Sequence, residues 1–163
     1  MWFGRCRGGQ WKLLCEVHLD VAMSRQNLAR VLSKRGVLAS AQREAERCVA
    51  IRLRQLGDKH LDVAAGLSQL GLIQRDRGLF DAAHKNLNRS LAIRRQKLPK
   101  GHPDVARSLM ELARLQILRG EIEEAKRILE EARESLGESG SLNLDAELDE
   151  LLTELNNEQQ KGH

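Results

Sequence analysis

Three copies of one short fragment stand 42 residues apart in this 163-residue chain: His18-Leu19-Asp20-Val21-Ala22, His60-Leu61-Asp62-Val63-Ala64 and His102-Pro103-Asp104-Val105-Ala106. A fixed internal period of this size marks an array of supersecondary units. Each is too small to bury its own apolar face, so the chain folds by stacking neighbours. The register extends well past the fragment. With each His counted as zero, position 10 is Leu28, Leu70 and Leu112, and position 11 is Ala29, Gly71 and Ala113. Arg-Gly pairs fill positions 17 and 18 (Arg35-Gly36, Arg77-Gly78, Arg119-Gly120), and position 23 is Ala41, Ala83 and Ala125.

Each unit reads as a pair of helices. Arg, Leu, Ala and Glu dominate, aromatics make up 2%, and there are two prolines and no Tyr. That is a helix-forming composition. Alternating apolar runs are missing, so the fold class is all-α. The first helix is expected to begin near Asp20, Asp62 or Asp104, where a carboxylate caps free N–H groups at the positive end of the dipole. Pro103 sits just before Asp104, where its missing N–H costs little. In the middle unit Val63, Leu67, Leu70 and Gly71 recur at three- and four-residue spacing, one apolar stripe of a helix. The Arg-Gly pairs end this helix, with Arg at the negative dipole end and Gly supplying the left-handed turn. A second helix follows two or three residues later and runs toward the next His. Ala83, Leu87, Leu91 and the stretch 93–98 mark its buried side, and small residues at Ala41, Ala83 and Ala125 let the paired helices approach closely.

These hairpins resemble the tetratricopeptide repeat, on the strength of Leu28-Ala29, Leu70-Gly71 and Leu112-Ala113 followed by Ala41, Ala83 and Ala125. The 42-residue period, the His-Pro-Asp-Val-Ala opening, and Ile51-Arg52 and Ile93-Arg94 near the unit ends are similar to the long-helix variety of kinesin light chains and nephrocystin-3-like proteins. The resemblance covers residues 18–137. It implies a right-handed α-α superhelix, a solenoid of three units at 18–59, 60–101 and 102–137. It also implies a concave groove lined by first-helix positions 5, 8, 9, 12, 15 and 16. On this chain that groove includes Met23, Asn27, Arg30, Lys34, Gln69, Leu72, Arg75, Arg107, Met110, Glu111 and Arg114. The arginines would hold carboxylates or carbonyls of an extended peptide, and Asn27 and Gln69 would pair with its amides. Two departures stand out. Position 14, often aromatic in the family, is Leu32, Gln74 and Gln116, and the paired Asn of kinesin light chains at positions 8 and 9 survives only as Asn27.

Outside the units, Leu144, Leu148, Leu151, Leu152 and Leu155 form one stripe opposite Asp145, Glu147, Asp149 and Glu150. This predicts an amphipathic helix at 142–157 that caps the last unit, after a turn-rich break at 138–141 and before a frayed end from 158. Residues 1–17 fit the repeat poorly and read as an irregular lead-in or N-terminal cap, with Trp11-Lys12-Leu13-Leu14-Cys15 placed to lie over the first unit. The alternative is that the chain is a piece of a longer array.

The charge is lopsided. Residues 1–120 carry 23 Lys/Arg against 10 Asp/Glu, and residues 121–154 carry 3 against 12. A basic front steers acidic partners. Cys6, Cys15 and Cys48 are odd in number and fit no ligand spacing, which points to reduced thiols in the cytoplasm. Cys48 stands where the other units carry Ser90 and Ala132, a small packing residue. His18, His60 and His102 lie one unit apart, far beyond shared coordination at ~2 Å, so no metal is expected. No nucleophile motif, phosphate loop or dinucleotide fingerprint appears, and neither catalysis nor a cofactor is expected. No apolar stretch reaches the ~20 residues of a membrane span. The expected function is that of a non-enzymatic adaptor or scaffold, a monomer holding a protein or peptide of acidic or mixed charge. The runner-up is a regulatory or oligomerising arm of a larger signalling protein. A weaker third class is nucleic-acid contact by the basic front, which lacks aromatics for base stacking.

Overall fold

The computed structural model describes residues 18–136 and 142–161; the lead-in at 1–17 and the break at 138–141 lie outside the described residues. Among those described there are seven helices and no strand: α1 (Leu19–Lys34), α2 (Leu38–Leu56), α3 (Leu61–Asp76), α4 (Phe80–Lys97), α5 (Pro103–Arg119), α6 (Ile122–Leu136) and α7 (Leu142–Lys161). They pair as α1/α2, α3/α4 and α5/α6, and each hairpin packs on the next through its second helix, α2 on α3 and α4 on α5. First helices of successive units also meet, α1 with α3 and α3 with α5, and α7 meets α5 in the same manner. Among the described residues no two second helices approach comparably. The first helices therefore form the inner wall of the array, and the fold is an all-α solenoid.

Helix starts differ from expectation in one respect. The N-cap is the His, not the Asp. His18, His60 and His102 are extended, and their Nδ1 atoms accept the backbone N–H of Asp20, Asp62 and Asp104 at 3.3, 3.1 and 3.1 Å. A capping side chain must sit one residue before the helix to reach the amide two residues on. The aspartates are already helical, and contribute charge against the dipole instead. Pro103 takes the first helical position of α5. His60→Ala should lower stability by about 1 kcal/mol in urea denaturation, and His60→Asn should restore it.

Helix ends follow the sequence reading. Gly36, Gly78 and Gly120 adopt φ of 76°, 75° and 78°. In each, the N–H of the next residue reaches back to a carbonyl of the preceding turn: Val37 to Leu32, Leu79 to Gln74 and Glu121 to Gln116, at 2.8–2.9 Å. That pattern satisfies the free carbonyls of the last turn. Close pairing within a hairpin is tightest at Gly71, where an added Cβ would lie 2.8 Å from Leu87 Cγ and 3.3 Å from Ala83 O.

Packing grows toward the rear of the chain. Ala22, Cys48 and Ile51 form a small cluster in the first unit, and Val49, Val63, Leu67, Leu70, Ile73 and Ile93 join units one and two. The largest cluster joins Leu109, Met110, Leu112, Leu115, Leu129 and Leu136 to Leu144, Leu148, Leu151 and Leu155 of α7. Thus α7 covers the last hairpin with four leucines at i, i+4, i+7 and i+11, and it continues to Lys161 through residues the sequence reads as frayed. Cys48 is a buried free thiol, pushed above its usual range by burial and pulled partly back by Arg52 and Arg25.

Candidate peptide-binding groove

The family resemblance implies that positions 5, 8, 9, 12, 15 and 16 of each first helix line the inner wall, and the side chains at these positions fall into two unlike halves. At the front, on α1, Met23 is 59% exposed, and Asn27, Arg30 and Lys34 are exposed. Arg30 donates to Asn27 Oδ1 at 3.2 Å. Among the described residues neither Arg30 nor Lys34 is paired with a carboxylate. Gln69 on α3 is half-buried and donates to the backbone carbonyl of Gln26 at 3.0 Å, tying the first two units together instead of standing free for a ligand amide.

The rear half is a chain of internal ion pairs. Arg75 donates to Glu111 Oε2 at 2.9 Å and to Asp76 Oδ1 at 2.9 Å. Glu111 also accepts from Arg114 at 3.4 Å, and Arg114 in turn pairs with Glu147 of α7. Beside this chain lies a cavity of about 400 Å³ lined by Arg75, Asp76, Arg114, Ile117, Leu118 and Leu151, in which Leu118 is 57% exposed. Arg107 is exposed and folds onto Asp104 at 2.9 Å, one turn away. Leu72 is half-buried.

Met110 is placed differently from the rest. It is 1% exposed and belongs to the core with the α7 leucines, so it offers nothing to a ligand. α7 packs on α5 as a following first helix would, and its stripe covers this position. The structure thus brings Arg75, Glu111 and Arg114 together, leaves Met23, Asn27, Arg30 and Lys34 open to solvent, and turns Met110 inward.

Two residues outside the sequence-derived set bind successive units to each other. Arg52 is buried and donates to the carbonyl of Asp62 at 2.9 Å and to Gln26 Oε1 at 2.6 Å. Arg94, its equivalent one period on, donates to the carbonyl of Asp104 at 3.3 Å and to Ser108 Oγ at 2.5 Å. Burial lowers the proton affinity of Arg94, and Asp104 offsets part of that effect. The signal was present in the sequence: Ile-Arg recurs at one register position, which solubility alone does not require.

Among the described residues no group of three or more His, Cys, Asp or Glu is placed to hold a metal ion, and no helix is long and apolar enough to cross a membrane.

A curved array of paired helices with a lined inner wall defines a helical-repeat scaffold. The family model described as tetratricopeptide repeat matches residues 20–96, the first two hairpins. The fold is shared with kinesin-light-chain-like arrays. The crystal structure of BtubC (BKLC) from P. vanneervenii aligns with a TM-score of 0.68 at 24% identity, covering 74% of this chain and 48% of that one, so this chain spans about half the length of that protein. The nearly identical TPR-like repeats of a Podosopora anserina protein of kinesin light chain type align with a TM-score of 0.68 at 24% identity, over 88% of this chain and 77% of that one. A single-substitution variant of the same protein aligns equally well. A comparison with curated proteins finds no match. Arrays of this kind are protein–protein interaction scaffolds in general.

Proposed function

We propose that this chain is a non-enzymatic adaptor that holds an extended peptide of a partner protein along its inner wall. The ligand is acidic or mixed in charge, and the setting is cytoplasmic. The observation that carries this reading is the unlike pair of groove halves: cations at Arg30 and Lys34 with no carboxylate partner among the described residues, then an open cavity bordered by exposed Leu118. Guanidinium and ammonium groups along a wall select carboxylates, and a half-apolar recess accepts a side chain. A second reading rests on Arg114 and Glu147, since α7 already supplies an acid to the rear of the groove. In that reading the array is a regulatory arm that folds its groove onto its own chain.

Titration with an acidic peptide at two salt concentrations tests the adaptor. Arg30→Glu with Lys34→Glu should weaken binding at least tenfold, because each charge-assisted contact contributes about 1.5–3 kcal/mol and 1.4 kcal/mol is tenfold. Reversing Arg75 and Arg114 is a poorer test, since it would set new carboxylates beside Glu111 and Glu147. If the Arg30/Lys34 double variant remains helical and binds as well as wild type at low salt, the groove assignment is wrong.

A further inference from the structure

Position for position, the front of the first unit is more exposed than its equivalents. Leu28 and Val31 are each 47% exposed, whereas Leu70 and Ile73 are 6% and 2%, and Leu112 and Leu115 are 3% and 0%. Ser24 is exposed where Gly66 and Ser108 are buried, and Val21 is half-buried where Val63 and Val105 are buried. In units two and three this stripe lies under the second helix of the unit before. An added Cβ on Gly66 would lie 3.0 Å from Val49 of α2, and Leu53 of α2 packs against the cluster that holds Val63, Leu70 and Ile73. At the front of the first unit is a cavity of about 270 Å³ lined by Arg25, Arg47, Ala50 and Ile51. Among the described residues the buried Nε of Arg25 has no hydrogen-bond partner.

The third unit shows what closes such a space. There a cavity of about 240 Å³ has Glu134 and Ser135 on one side, two periods on from Ala50 and Ile51. Its other side is formed by Arg95 and Leu98, at the end of the preceding second helix. The same shift of two periods carries Arg95 and Leu98 back onto Trp11 and Leu14.

We propose that Trp11 and Leu14 of this same chain cover Leu28 and Val31 and wall the cavity at Ala50 and Ile51. They would take the places that Arg95 and Leu98 take for the third unit. The segment is tied to α1 through only Cys15, Glu16, Val17 and His18, so its local concentration far exceeds that of any second copy. Trp brings a large apolar surface suited to an uncovered stripe. The assignment depends on register alone and holds whatever precedes residue 11.

Trp2→Phe in the full chain leaves Trp11 as the single tryptophan and makes it the reporter. Its native emission should be blue-shifted from that of the urea-denatured chain, with a severalfold lower acrylamide quenching constant. Adding Val31→Glu, a change at an exposed site, should return both to denatured values while far-UV circular dichroism stays helical; Leu28→Lys is the second variant if Val31→Glu unfolds. Native emission equal to that of the denatured chain would overturn the proposal. So would shielding indifferent to both α1 variants, or shielding that appears only at concentrations where light scattering reports a dimer.

Discussion

Leu148→Ala should lower the stability of the chain by about 2–5 kcal/mol, the range for emptying a fully buried leucine site. Leu148 is 1% exposed and sits mid-stripe on α7, among Leu144, Leu151 and Leu155 and over the core of the last hairpin. Leu148→Asp should go further and detach α7, because a carboxylate there has no cation within the apolar cluster to offset its desolvation. Detachment carries Glu147 away from Arg114 and Asp149 away from Arg133, and it uncovers Met110. The expected signature is early proteolytic cleavage within 137–161, a rise in binding of an apolar dye, and a drop in urea midpoint. If Leu148→Asp keeps α7 protected and the midpoint within ordinary scatter, α7 is an appendage and the last hairpin is stable without a cover.

Much of this architecture was legible from residue spacing. Gly36, Gly78 and Gly120 announced their left-handed turns because only Gly adopts that backbone without strain. The α7 stripe was equally plain because a leucine repeat at helical spacing on an acidic segment has few other uses. The cap was misassigned between residues two apart: His and Asp are both polar and both recur, and only backbone geometry shows which of them precedes the first helical residue. That first helices line one side of the array was legible, and the charge pattern on them was not. Register places Arg75, Glu111 and Arg114 on neighbouring helices, but whether an arginine meets a ligand or a glutamate depends on rotamers and on α7, which arrives from outside the repeat. Met110 shows the same limit. The resemblance implies a concave position for it, and it lies buried in one cluster with the leucines of a helix that has no counterpart in the 42-residue period.

Arg52→Ala should cost about 3 kcal/mol and loosen the junction between the first two units more than either hairpin. Arg52 is 7% exposed, and its stem lies against Gly66, whose missing side chain leaves the space: an added Cβ there would be 3.4 Å from Nη1 and 3.9 Å from Cδ. From that position one guanidinium spans Asp62 on α3 and Gln26 on α1 with two charge-assisted bonds. Hydrogen bonds from a charged donor contribute about 1.5–3 kcal/mol each, and the alanine also forfeits the packing of the stem. The planar fork matters, because two acceptors on different helices are reached from one rigid head. Arg52→Lys should therefore recover less than half of the loss, and Arg52→Met, which keeps the stem and drops both bonds, should resemble Lys more than wild type. Native-state hydrogen exchange would locate the effect. Amides of α1 and α2 should open before those of α5 and α6 in Arg52→Ala, and the order should reverse in Arg94→Ala. Uniform opening across all hairpins would show that the arginine pair stabilises the whole array evenly and does not join particular units.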